Sequence, residues 1–344
     1  ENFQPDNSDL AGQVDANTAV SFDIANISAI YWMYGAKYFL LGCDSGVMQM
    51  YGSSTNINAV ETPIVSKVST TPCAQIPPAP TPDGVVFIEH LGKKVHTLRY
   101  SLEGGGYKSV DLTALSEHMP GNSAFTEVTY ADTPYRIIWA KRADGAIRAC
   151  TLSISEQAIP GWTSHTFAGT DLEVESIATI PGEEYTELWM IVKRTIDGAT
   201  TRYVEVLQKP FNEGDQDTEA FYVDSGISYE GTAVTSFTGL DHLEGEEVAV
   251  QVNGGEHANK TVSGGAITLD VEATSAVVGL PYTSKIVTPY LEAGLTGGTN
   301  QMQPMAVVEL GIRFYETLGA KYGKSEDDLK EVIFRSSAQT IGTR

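Results

Sequence analysis

Short apolar runs alternate with clusters of Gly, Pro, Asn and Asp along almost the whole chain. Such runs, bounded by turn residues, predict β-strands rather than helices. Helical spacing occurs in two places, Leu112 to Met119 and Ser325 to Phe334. The second opens on Ser325, Asp327 and Asp328, oxygen-bearing side chains suited to capping a first helical turn. The strand pattern repeats. Lys37–Gly52, Gly84–Ser101, Tyr135–Ser153 and Glu187–Leu207 each read as an apolar strand, a glycine-bearing turn and a second strand. Asp144-Gly145 and Asp197-Gly198 are tight-turn dipeptides, because such turns need a positive φ that glycine accepts. With Gly46, Gly92, Gly145 and Gly198 as markers the spacings are 46, 53 and 53 residues. A hairpin repeat near 50 residues predicts the blades of a β-propeller, with a sandwich of hairpins as the alternative. The first strand of each repeat is the more continuously apolar, as in Val85-Val86-Phe87-Ile88 and Leu188-Trp189-Met190-Ile191-Val192. A strand covered on both faces has that composition.

The fold class expected is therefore all-β, a propeller-like body of repeated hairpins over residues 1–207 with an inserted small β-barrel module over 208–290. Within the module, short strands are expected at Ala233–Phe237, Glu247–Val252, Thr261–Val262, Ala266–Val271 and Ser275–Val278, with a turn at Ser263-Gly264-Gly265. Residues 291–344 are expected to return to the body through strand-like Met305–Phe314 and Val332–Ser336 and the short helix at Ser325. The opening ENFQPDNSD reads like the interior of a longer protein.

Charge narrows the partners. The 344 residues carry 22 Lys+Arg against 44 Asp+Glu, a net charge of -22. Half of that excess lies in 208–284, where 13 acidic residues face Lys209 and Lys260 alone. A protein that grips nucleic acid neutralises phosphates with the opposite sign, so the charge argues against DNA groove binding and anionic membrane surfaces as partners. No apolar run approaches the length of about 18 residues that a membrane helix needs. Cys43, Cys73 and Cys150 are odd in number and widely spaced, which predicts reduced structural thiols.

Chemistry-bearing groupings are sparse. His90 and His96 flank the Gly92-Lys93 turn near Glu89, a conceivable metal pair without a third ligand of fixed spacing. Asp241-His242-Leu243-Glu244-Gly245 places two acids around an imidazole. Glu213, Asp215 and Asp217 alternate as calcium ligands do, without the later Gly and Glu of an EF-hand. Gly104-Gly105-Gly106 lacks the following helix and lysine of a phosphate loop. The Asp44-Ser45-Gly46, Asp144-Gly145 and Asp197-Gly198 turns lack the aromatic residue that follows the Asp boxes of propeller glycosidases. The expectation is a protein without catalytic, cofactor or metal residues.

Eight stretches, in order, carry a resemblance: ENFQPDNSD, Leu98–Met119, Ile137–Phe167, Glu175–Leu207, Gly239–Gly254, TVSGGAITL, VGLPYTSKI and Glu309–Gly323. Their order and spacing resemble the tail nozzle or tail tubular proteins of short-tailed bacteriophages. The stretch from Leu240 to Leu280 also resembles the small β-barrel of ubiquitin-activating enzymes. The resemblance implies a structural virion protein, not an enzyme, that assembles in the host cytoplasm into a ring, a hexamer in this family. The ring would lie below the portal and tail adaptor, with fibres or spikes around it, and would conduct ejected DNA without binding it. The alternatives are a carbohydrate-binding or depolymerising tail protein and an unrelated propeller interaction module.

Overall fold

The residues described in this computed structural model are 23–25, 27–53, 57, 61–101, 105–152, 160–212, 214–288, 306–314, 317 and 319–332. No α-helix occurs among them, and the chain is a succession of antiparallel sheets. Sheet I is the meander β1 (Ile30–Gly35), β2 (Phe39–Cys43), β3 (Gly46–Tyr51) and β4 (Ile64–Ser69). Sheet II is β5 (Ala79–Thr81), β6 (Gly84–Ile88), β7 (Val95–Ser101) and β8 (Gly106–Asp111). Sheet III is β9 (Phe125–Ala131), β10 (Ile137–Arg142), β11 (Ile147–Thr151) and β12 (Gly161–His165). Sheet IV has three strands, β13 (Thr170–Pro181), β14 (Thr186–Ile196) and β15 (Ala199–Val206).

Alternation within the central strands joins these sheets into a stack. Successive side chains of a strand point to opposite faces. Leu40 and Val47 of sheet I pack with Val85, Phe87 and Leu98 of sheet II. Val86 and Ile88, on the other face of β6, pack with Ile138, Ala140 and Phe125 of sheet III. Trp139, Ile147 and Ala149 then pack with Leu188, Met190 and Val192 of sheet IV. The near-continuous apolar runs of β6 and β10 thus serve two interfaces at once.

The hairpin turns take part in the same stacking. Phe125 N, opening sheet III, donates to Gly92 O at 2.8 Å, and Val174 N in sheet IV donates to Gly145 O at 3.2 Å. Gly92 and Gly145 have φ of +69° and +76°. A Cβ on Gly92 would lie 2.7 Å from Ala124 Cβ, and one on Gly145 would lie 2.9 Å from Glu173 Cα. Gly198 has φ +70° as well, but nothing lies within 4 Å of its would-be Cβ, because no further sheet follows in the stack. The outer face of sheet IV is correspondingly open, with Ile191 and Val204 exposed. The four marker hairpins fall in four separate sheets, and among the described residues these sheets do not close into a ring.

The acidic region forms its own sheet, in the order β16 (Asp224–Thr238), β19 (Ala266–Leu280), β17 (Glu247–Val252) and β18 (Gly255–Thr261). It is built around Phe237, Leu240, Leu243, Val248, Val278 and their neighbours, with Ile196 of sheet IV reaching in. The two long strands β16 and β19 each span 15 residues; β16 extends the expected Ala233–Phe237, and β19 joins Ala266–Val271 and Ser275–Val278. Their ladder shifts register between Glu230 and Val234, beside Gly231, and again before Ser236. Such shifts bend a strand without ending it. The hydrogen-bonded ladder stays open, but side chains span the gap between β18 and the first half of β19. Asp270 N donates to His257 Nε2 at 3.1 Å, and Lys260 Nζ reaches both Asp270 oxygens at 2.8 and 2.9 Å.

Three expectations are corrected. Leu112–Met119 is a run of turns, with Ser116 N on Thr113 O and Met119 N on Ser116 O, and Leu115 is exposed rather than part of an apolar stripe. Ser325 lies in the turn of a small hairpin, β20 (Lys321–Gly323) and β21 (Leu329–Glu331), so the short helix is absent there. Residues 306–314 carry no strand, and Met305 and 333–336 lie outside the described residues.

The stacked turns give a graded outcome. Gly198→Ala should cost about 1–2 kcal/mol, the backbone penalty of an L-residue at positive φ. Gly92→Ala and Gly145→Ala should cost at least about 1 kcal/mol more, through contact with the following sheet. Urea unfolding of the three variants measures the difference; equal losses would contradict the stacking account.

Candidate functional site

None of the groupings with chemical potential comes together as a reactive site. His96 is buried on β7 and stacked on Phe87, with centroids 5.5 Å apart, and burial lowers its pKa. His90 stands exposed in the turn beyond β6. Among the described residues no group of three or more His, Cys, Asp or Glu is arranged to hold a metal ion. Glu213 lies outside the described residues, while Asp215 accepts from Asn212 N at 2.8 Å and Asp217 opens a 3-10 turn. Gly105 and Gly106 belong to the β7–β8 hairpin, and Gly104 lies outside the described residues. In the Asp241–Gly245 segment His242, Leu243 and Glu244 have structural work, and Asp241 is exposed. Glu244 accepts from Gly264 N and Gly265 N at 2.9 and 2.8 Å, which holds its carboxyl below the usual range and fixes the Ser263–Gly265 turn. His242 Nε2 sits 2.8 Å from Ser225 O and its ring meets Tyr203 edge-on at 6.0 Å. The three thiols are free and buried, and burial pushes those of Cys73 and Cys150 up to about 12.

What the fold does assemble is a junction between sheet IV and the acidic sheet. Arg194, at an inward position of β14, is fully buried. Its Nε donates to Ala168 O at 2.8 Å, and its two terminal nitrogens grip the Glu205 carboxylate of β15, one of them at 3.0 Å. Ala168 N in turn donates to Asp224 Oδ2 at 2.6 Å, at the first residue of β16. The backbone of one residue, Ala168, is thus held from both sides, through its C=O by Arg194 and through its N–H by Asp224, and the clamp fixes where the acidic sheet leaves the body. Gly169 has φ +123° and a Cβ there would lie 2.6 Å from Arg194 Cδ, so the guanidinium stem occupies the space a side chain would need. Asp224 is largely shielded from water, and that desolvation raises its pKa, opposed by Ala168 N–H and Arg194 and reinforced by Glu205. A cleft of about 480 Å³ opens beside this clamp. It is lined by Met190, Tyr203, Val204 and Val206 on one side and by Phe221, Tyr222 and Tyr282 on the other.

Beyond the clamp, the surface of the acidic sheet is one-signed. Asp217, Glu219, Glu230, Asp241, Glu247, Glu256, Asp270 and Glu272 are exposed. Lys260 is committed to Asp270, and Lys209 lies 4.0 Å from Asp215. Sequence reasoning located the charge but missed the clamp, since a lone Arg in a strand carries no signal of what folds against it. No helix among the described residues is long and apolar enough to cross a membrane. No protein-family model matches the chain, and its sequence matches no curated protein.

The clamp makes two outcomes measurable. Arg194→Met strands the Glu205 carboxylate and should cost about 3–5 kcal/mol in denaturant unfolding. Asp224 binds its proton more tightly folded than unfolded. Its contribution favours the fold below the unfolded carboxylate range and is lost as pH rises through that range to the raised folded value. Asp224→Asn keeps an acceptor for Ala168 N and lacks that loss. The unfolding midpoint of the variant should therefore gain on the wild type as pH rises through and above the ordinary carboxylate range. A difference that is flat or moves the other way would contradict the shielded carboxyl. The thiols give a third: a thiol reagent should label none of the three in the native chain and all three after denaturation.

Proposed function

We propose that the protein is a structural component of the tail of a short-tailed bacteriophage, a nozzle ring through which DNA leaves the particle. On this reading the four stacked sheets are successive propeller blades, and the acidic sheet with its side-chain closure is a small β-barrel carried by them. Copies assemble into a six-fold ring, with a tail adaptor above and fibres or spikes around it. The observation that carries the reading is the exposed carboxylate surface of the acidic sheet, whose lysines are both engaged by aspartates. A surface of that sign repels the phosphate backbone and supplies no site at which a passing duplex could adhere. The ordered resemblance to nozzle proteins supports the same role, and among the described residues no grouping of side chains argues for an enzyme.

A second reading, a carbohydrate-binding or depolymerising tail protein, draws on the aromatic rings of the cleft, Tyr203, Tyr222 and Tyr282, since such rings stack on sugars.

Charge reversal separates the readings. The purified chain should not retain duplex DNA. Glu230→Lys, Glu256→Lys and Glu272→Lys together should create binding that falls with salt by a log–log slope of about -0.9 per contacted phosphate. In particles, the same substitutions should slow DNA release while leaving particle yield unchanged. Hydrolysis of host polysaccharide by the purified chain would overturn the conduit, as would particles that eject normally without it.

A further inference from the structure

We propose that residues 306–314, which carry no strand in the arrangement described above, dock in a second arrangement along the free edge of β15 as the fourth strand of sheet IV, so that the acidic sheet is then an insertion within one interrupted hairpin. Sheets I, II and III each have four strands, whereas sheet IV has three and ends at β15. Leu207 N donates to Leu188 O, which continues the β14–β15 register. By the alternation of an antiparallel ladder, Arg202, Val204 and Val206 then turn their backbone N–H and C=O groups outward. Among the described residues no strand meets them. A bare edge that also carries an apolar side chain, Val204 at 66% exposure, is an unfinished sheet.

The chain holds a segment of matching character. In Ala306–Phe314, Val308, Leu310, Ile312 and Phe314 fall on one face at strand spacing, and Glu309, Gly311 and Arg313 on the other. The segment has no secondary structure, and Val308, Leu310 and Ile312 are 96%, 57% and 46% exposed. Three neighbouring aliphatic side chains left in water lose about 1.5–3 kcal/mol each relative to burial. The cleft of about 480 Å³ beside β15 is the complementary space. Its wall includes Met190 and Tyr203, which lie on the inward face of sheet IV, so an added strand can point its apolar row into the cleft.

The path of the chain allows it. Asp224 at the start of the acidic sheet pairs with Leu280 at its end, so the chain leaves the insertion where it came in. Tyr282 then lines the same cleft as Val206, the end of β15 at which an antiparallel strand begins. The 25 residues from 281 to 305 reach at most about 80–90 Å when extended.

Cross-linking and hydrogen exchange on the full chain test the docking. Val204→Cys is combined in turn with Val307→Cys, Glu309→Cys and Arg313→Cys, the positions that share its face. One combination should form a disulfide within a single chain under mild oxidation. Independently, the Val204 and Val206 amides should exchange at least about 10-fold more slowly than in a Leu310→Asp variant, which removes the central apolar contact. Disulfides that form only between chains would overturn the assignment in favour of strand exchange with a second copy. Absence of any disulfide together with fast exchange at both amides would overturn it outright. Neither outcome bears on DNA passage, so the assignment and the conduit reading stand or fall separately.

Discussion

A strand buried on both faces needs a partner layer on each side, and this requirement organises the molecule. β6 illustrates it: Val85 and Phe87 face one neighbour while Val86 and Ile88 face the other. Because β6 and β10 spend their even and odd residues on different interfaces, sheets II and III cannot be stable alone and must be laid against the sheets before and after them. The glycine turns enforce the same order. Gly92 and Gly145 admit the first strand of the next sheet at a distance no side chain would allow. Stacking in chain order is the consequence of these two local facts.

The body was legible in the sequence for the same reason. Continuous apolar runs and Asp-Gly turns are local signals, and Gly46, Gly92, Gly145 and Gly198 each mark a hairpin in a separate sheet. Errors arose where a local signal fits two structures. Ser325, Asp327 and Asp328 would cap a helix, but such side chains equally favour turns, and here they sit between β20 and β21. Leu112 and Met119 have helical spacing because both ends of a looping segment are pinned against sheets II and III, with exposed Leu115 between them. Within β16 the sequence marked only Ala233–Phe237, whereas the ladder starts at Asp224 and runs on through register shifts.

The junction was not legible. Arg194, Glu205, Ala168 and Asp224 come from four separate places in the chain, and nothing near any one of them announces the others. The clamp is nevertheless what joins two differently charged parts of the protein. A buried guanidinium satisfied by a carboxylate and a carbonyl is tolerated in an apolar surround only when its geometry is complete, so the joint has little freedom to drift.

The one-after-another arrangement of the sheets also bears on how the body comes apart. Each sheet shares its main apolar interfaces with its sequence neighbours, as in a linear array of coupled units, so the free energy of opening is set by nearest-neighbour terms. Sheets II and III are each held by two interfaces of this kind, and sheet IV by one on its body side with its outer face open. Thermal agitation or mechanical tension therefore acts first at the ends of the array, and the middle pair stays folded longest.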